Sequence, residues 1–328
     1  MLTLEISWSY RPFRALVLEN RTLRVVVLPE LGGRIWSIVY KPHGRELLWH
    51  NPRIPPQSVP FGTAFDNVWC GGWEELFPSP APAEINGEPY PDHGEVWCLP
   101  WRAETEREPD SVSVRLSCEA RISAVRLQKR ITLRGDEPRV EIAYSLHNPG
   151  LADFPFILTL HPAFSVVPGC RIDFPPMEVE LDSSYAGTLA GVASPFTWPH
   201  ATRASKQIDL RIVAPHEAGE VYFFYGTGLR EGWCAVTDTV RRLTWGLVFP
   251  PQFFPACWVF ASYGGWRNHD LVVLEPSTSY PQQFDRAVRN RTAESLPAGG
   301  TLETSVGFQV QEGLSEVAGL TADAEFRA

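Results

Sequence analysis

The chain has 328 residues, 44% of them hydrophobic and 20% charged, with a formal net charge of −9. That length permits one large domain or two ordinary ones with a sizeable core, and the negative charge works against nucleic acid and anionic membrane surfaces as partners. Six cysteines stand singly with no C-x-x-C spacing, so buried thiols are expected rather than a zinc site or a disulfide framework.

The first twenty residues, MLTLEISWSYRPFRALVLEN, carry Glu5, Arg11 and Arg14. They contain no apolar run of the length of a signal peptide or a membrane span, so a cytoplasmic location is expected. LPELGGRIWSIVY (28–40) reads as a strand, a Gly-Gly turn and a second strand that begins with Arg34. NPRIPPQSVP (51–60) reads as a long surface loop. GGWEELFPSP (71–80) sets Glu74 and Glu75 between glycines and prolines, and one of two adjacent carboxylates is expected to be solvated. YPDHGEVW (90–97) presents His93 on an Asp-His-Gly turn, followed by Glu95 and Trp97.

Period-two alternation then dominates. SVSVRLSCE (111–119) aligns Val112, Val114, Leu116 and Cys118 on one face. RVEIAYSLHN (139–148) aligns Val140, Ile142, Tyr144 and Leu146. Turn chemistry separates such runs, as in Arg134-Gly135-Asp136-Glu137-Pro138 and Asn148-Pro149-Gly150. The apolar run Phe154 to Leu160 ends at His161, and Pro162 holds that residue out of helical backbone angles. LVVL (271–274), apolar on both faces, ends in the same way at Glu275 followed by Pro276. SYPQQFDRAVRNRT (279–292) allows one short helix, and TLETSVGFQV (301–310) returns to alternation through Val306, Phe308 and Val310.

Consecutive strands joined by short turns predict an antiparallel sheet, and this many strands must curl into a large sandwich. The fold class is therefore all-β, a large antiparallel β-sandwich. No linker divides the chain, so residues 1–311 are expected to form a single domain. The tail 312–328 lacks a strand pattern and is expected to form a short helix or to fray.

Several residues could carry chemistry. A carboxylate at the end of a buried strand must be paired or shifted in pKa, so Glu275 is either structural or catalytic. His161 taken alone is a core histidine before it is a working imidazole. His93 is either a solvated loop residue or a ligand contact, and Arg34 either a surface strand residue or a ligand contact. No H-x-H or H-x-x-x-H pattern suggests a metal site, no G-x-S-x-G suggests a serine nucleophile, and no glycine-rich loop suggests nucleotide binding. Twelve tryptophans and thirty prolines suit strands, turns and flat faces on which a sugar can stack.

Taken in order, LPELGGRIWSIVYKPHGRELLW (28–49), GGWEELFP (71–78), DHGEVW (92–97), LHPAF (160–164), LEPSTSYP (274–281) and LPAGGTLETSVGFQV (296–310) resemble the galactose mutarotase-like superfamily, the aldose 1-epimerases and their hexose-phosphate relatives. The resemblance spans most of the chain and implies that superfamily's supersandwich. By the His-Pro-aromatic motif it implies His161 as general acid, and by the strand-end glutamate Glu275 as general base. It implies His93 as a sugar contact with Trp97 beside it, and Arg34 and Glu75 as further substrate-binding residues. The Asn-Arg-Ile segment and the sugar-holding aspartate of galactose mutarotases are not evident. The resemblance is thus to an outlying branch and leaves the sugar open.

The reaction so implied interconverts the α and β anomers of an aldose with no metal and no cofactor. The expected partner is a small-molecule sugar, not nucleic acid and not a membrane, and the protein is expected to be a monomer or a homodimer. Two other functions stay open: a carbohydrate-binding protein without catalysis on the same fold, and a glycoside hydrolase or lyase working through Glu75 and Glu275.

Overall fold

A computed structural model of the protein describes residues 2–321 and 325–327. It is an all-β structure of antiparallel sandwich type. The described residues fall into two compact units, residues 1–162 with 278–306 and residues 163–277 with 307–328.

In the first unit the strands Thr3–Tyr10, Phe13–Glu19, Leu23–Leu28, Arg34–Tyr40 and Trp73–Leu76 lie side by side in that order, each antiparallel to the next. Residues 159–162, the start of the strand Thr159–Phe164, pair with Trp73–Leu76. The second sheet of this unit is a meander of Arg102–Arg107, Ser111–Glu119, Arg126–Arg134 and Arg139–His147. The alternation expected for it holds, since Val112, Val114, Leu116, Cys118, Val140, Ile142, Tyr144 and Leu146 are all buried. The tight Arg134–Pro138 turn makes the register continuous, with Leu133 opposite Val140 and Ile131 opposite Ile142.

In the second unit, Glu178–Leu181, Glu220–Thr227, Ala256–Trp266 and His269–Ser277 form one antiparallel run. Arg171–Asp173, Trp233–Asp238, Leu243–Val248 and the end of Thr301–Glu312 form another. LVVL is buried as expected, with Leu271, Val272, Val273 and Leu274 all at 0% exposure.

Three local expectations change. The run 154–160 is not one strand: Phe154–Phe156 pairs with Glu294–Leu296, and a new strand starts at Thr159. His161 therefore sits inside a strand, because Pro162 lacks only a donor and the extended angles it imposes on its neighbour suit a sheet. Glu275 likewise lies within His269–Ser277 rather than at its end. Among the described residues of the tail there is no helix: Gly319–Leu320 pairs with Phe326–Arg327, and Val317, Leu320 and Phe326 pack on Trp233 and Ala235, while residues 322–324 and 328 lie outside the described residues. Three apolar anchors in a short segment suffice to dock it. The expected short helix is present as Phe284–Asn290, closed by Arg291 in the left-handed region at φ 59°.

Candidate active site

The site in the first unit is built on the strand Trp73–Leu76. Its register against Thr159–Phe164 sets Glu74 directly opposite His161, and directly opposed residues point to the same face of a sheet. His161 Nδ1 lies 3.1 Å from Glu74 Oε1, and the indole Nε1 of Trp69 donates to the same oxygen at 2.7 Å. The other carboxylate oxygen is 2.7 Å from Arg34 Nη1, which also donates to the Gly71 carbonyl. Arg34 reaches this place because Ile35 pairs with Trp73 at the edge of the Arg34–Tyr40 strand. Gly72, at φ 90°, makes room for it: a Cβ there would come within 3.2 Å of Arg34 Cδ and 2.9 Å of the Ile35 carbonyl.

Burial alone would push the Glu74 carboxyl up. The Arg34 charge, the His161 hydrogen bond and the Trp69 donor outweigh it and hold the group below the ordinary glutamate value. Glu74 is thus a fully enclosed carboxylate.

An aromatic wall adjoins this group. Phe65, delivered by the proline-rich segment 51–64, stacks on His93 with ring centroids 3.9 Å apart and planes within 6°. It meets Trp97 edge-on at 4.9 Å and His161 edge-on at 5.6 Å. Trp69 lies 5.1 Å from the His161 ring, and the His93 and His161 rings stand 6.0 Å apart at right angles. His93 is held at φ 61° on its turn, with Nδ1 2.9 Å from Asp92 Oδ1. The turn seats tightly, since a Cβ on Gly94 would stand 2.1 Å from the Phe77 carbonyl. Burial raises the Asp92 carboxyl, but the His93 contact and backbone donors bring it below its ordinary value.

The structure thus brings His161, His93, Trp97 and Arg34 into one neighbourhood, and adds Glu74, Trp69, Phe65 and Asp92. Glu75 is not there. One residue on from Glu74, it points to the opposite face of the strand, where its Oε2 is 2.5 Å from Lys129 Nζ and its Oε1 accepts from the Tyr144 hydroxyl at 2.9 Å. Neither glutamate is solvated, contrary to the expectation for adjacent carboxylates, because each has cationic and neutral donors of its own. Glu275 stands in the second unit, 4% exposed and opposite Trp258. Among the described residues no three His, Cys, Asp or Glu side chains gather so as to hold a metal ion. No described helix is long and apolar enough to cross a membrane.

The aldose 1-epimerase family profile matches residues 14–193, more than half of the chain and all of the neighbourhood just described. The chain belongs to the aldose 1-epimerase family. Its fold is similar to that of the Slr1438 protein from Synechocystis sp. PCC 6803, with TM-score 0.67 and 19% identity over 94% of this chain and 100% of that one. A protein from Klebsiella pneumoniae subsp. pneumoniae gives TM-score 0.73 at 12% identity, over 95% and 83%. A galactose mutarotase-like protein from Clostridium acetobutylicum gives 0.67 at 11%, over 95% and 99%.

For this member of the aldose 1-epimerase family, sequence reasoning passed over Phe65, Trp69 and Asp92. Phe65 lies in a segment read only as loop. Asp92 could have been found, since an aspartate immediately before a turn histidine is within local reach of the ring. Glu74 was visible as one of a pair, but nothing local to WEEL says which glutamate faces which way.

Proposed function

We propose that the protein is an aldose 1-epimerase-like isomerase that interconverts the α and β anomers of an aldose or related sugar. The anomeric change needs a base to take the proton of the C1 hydroxyl and an acid to give one to the ring oxygen. The C1–O5 bond then opens, C1–C2 rotates, and the ring closes on the other face. His161 is assigned as the acid, and Glu275 as the base on its LEPS motif. His93, Phe65 and Trp97 offer the aromatic and polar surface that a sugar ring stacks on and hydrogen-bonds to.

The observation that carries this reading is the His161 ring itself. In a chain of this family it is buried, backed by an anionic carboxylate and bordered by aromatic faces, which holds the ring in the fixed position that proton transfer needs. A glycoside hydrolase using Glu75 and Glu275 is disfavoured because Glu75 is committed to Lys129 and Tyr144.

Exchange NMR on the anomeric protons of a panel of free and phosphorylated aldoses tests the proposal. One sugar is expected to exchange faster with the protein. His161→Asn and Glu275→Gln should each reduce that rate by about 10² to 10⁴-fold with folding retained. Line broadening without exchange would instead favour a carbohydrate-binding protein, and full activity in both variants would remove the assigned roles.

A further inference from the structure

Glu74 has no place in the expected set of site residues, and Arg34 was expected to touch the sugar. The geometry points to a different division of labour: Glu74 is a positioning residue that fixes the tautomer and orientation of His161, and Arg34 is its clamp rather than a substrate contact. This inference rests on the proposed role of His161.

Glu74 Oε1 receives Trp69 Nε1 at 2.7 Å, a group that can only donate, and faces His161 Nδ1 at 3.1 Å. Glu74 Oε2 faces Arg34 Nη1 at 2.7 Å. A guanidinium cannot give up its proton in a protein, so the carboxyl beside it stays ionised and has no proton to offer. An ionised carboxylate only accepts. The hydrogen between Glu74 and His161 must therefore sit on Nδ1, which leaves Nε2 as the nitrogen that carries or gives the reactive proton.

Among the described residues, the rings set against His161 do not reverse this. His93 lies 6.0 Å away with its own Nδ1 on Asp92, and Trp69 and Phe65 otherwise present carbon faces. The backbone defends the arrangement as well, because Glu74 and His161 are opposed residues of neighbouring strands and cannot drift apart without breaking the sheet.

Arg34 is 3% exposed, and its Nη1 serves both Glu74 and the Gly71 carbonyl. Its stem occupies the space that a side chain at position 72 would take. Both contacts of Nη1 are made to the protein itself, to Glu74 and to the Gly71 carbonyl, which is what makes Arg34 the clamp. Glu74 does not enter the reaction as an acid, since its ion pair with Arg34 leaves it no proton to give; the His161 imidazolium gives its Nε2 proton, leaving the neutral ring protonated on Nδ1, and Nε2 takes a proton back on the return step.

The test is ¹⁵N NMR of histidine-labelled full-length protein, with His161 assigned by comparison with His161→Asn. It needs no substrate, so it can succeed or fail apart from the proposed activity. The expected result is protonated Nδ1 in the neutral ring of the wild type. A ring protonated on Nε2 overturns the inference whether or not any variant folds. In Glu74→Gln the expected result is a mixture of tautomers, with kcat for the responsive sugar lowered by about 10²-fold or more and KM changed far less. Glu74→Asp, which restores charge at a shorter reach, should recover part of kcat. Unchanged tautomer and kcat in Glu74→Gln overturns the positioning role, and a rise in KM alone overturns it in favour of a substrate contact.

Discussion

Glu74 and Glu75 are consecutive, chemically identical and equally buried, yet the protein treats them in opposite ways. Burial pushes both carboxyls up. At Glu74 the permanent charge of Arg34, the His161 ring and the Trp69 indole reverse that, and the group ends below its ordinary value. At Glu75 the Lys129 ammonium and the Tyr144 hydroxyl offset burial only in part, and the group ends above it. Lys129 is affected in the complementary sense, lowered by burial although Glu75 pulls it back. Depth in the protein therefore does not decide which way a carboxyl's pKa moves; the kind and number of its donors do. A guanidinium stays protonated where an ammonium can yield. One strand, through its alternation, carries a charged group that can serve chemistry on one face and a core ion pair on the other.

The largest effect should come from the core face. Lys129→Met leaves Glu75 buried with only the Tyr144 hydroxyl, and breaking a buried pair from one side costs about 3–5 kcal/mol. Denaturation in urea near neutral pH measures it. Adding Glu75→Gln to that variant should restore much of the loss, since the amide oxygen can still accept from Tyr144 and no buried charge remains. A loss below about 1 kcal/mol for Lys129→Met would mean that Glu75 is already neutral when folded, and the contrast with Glu74 would then be one of protonation as well as of partners.

Lys129 also shows how far the sequence could be read. It occupies the inward phase of RLQKRITLR with Leu127, Ile131 and Leu133. A lysine in phase with three core residues announces a buried anion somewhere in the chain. It does not say where, because Glu75 is 54 residues away. Alternation, turn residues and the short helix Phe284–Asn290 were legible for the same reason that the site was not. Strand faces are set by neighbours one and two residues apart, whereas His161 and Glu74 are 87 apart and meet through strand pairing. Of the residues the motifs pointed to, Arg34, His93, Trp97 and His161 share a neighbourhood. The motifs could not tell Glu74 from Glu75, or foresee that the proline-rich segment ends in the phenylalanine against which two histidines are set. The docked tail was missed because its anchors, Val317, Leu320 and Phe326, are too widely spaced for a period to show.

An intermediate effect is expected on the other face. Trp69→Phe keeps the aromatic surface and removes one donor from Glu74. Oε1 retains His161, so no acceptor is orphaned, and the cost should be about 1–2 kcal/mol for a hydrogen bond to a charged group. Urea denaturation again reads it. If the loss equals that of Lys129→Met, the donors of Glu74 are not redundant, and the account of its stable charge fails.

The smallest effect lies in the pH dependence of stability, where the two glutamates oppose each other in sign. Glu74, lowered on folding, contributes stability that is present above its unfolded value near 4.5 and is lost as pH falls through its lower folded value. Glu75, raised on folding, behaves in reverse. Its folded form holds a proton that the unfolded chain has released, so its contribution is present below about 4.5 and is lost as pH rises through its higher folded value. The two slopes meet at mildly acidic pH. Thermal melts of the wild type, Glu74→Gln and Glu75→Gln on both sides of the ordinary glutamate value separate them. Glu74→Gln should flatten the acid side of the profile, and Glu75→Gln should remove the decline on the rising side. Matching changes in both variants would show that burial, which the two residues share, governs their charge after all.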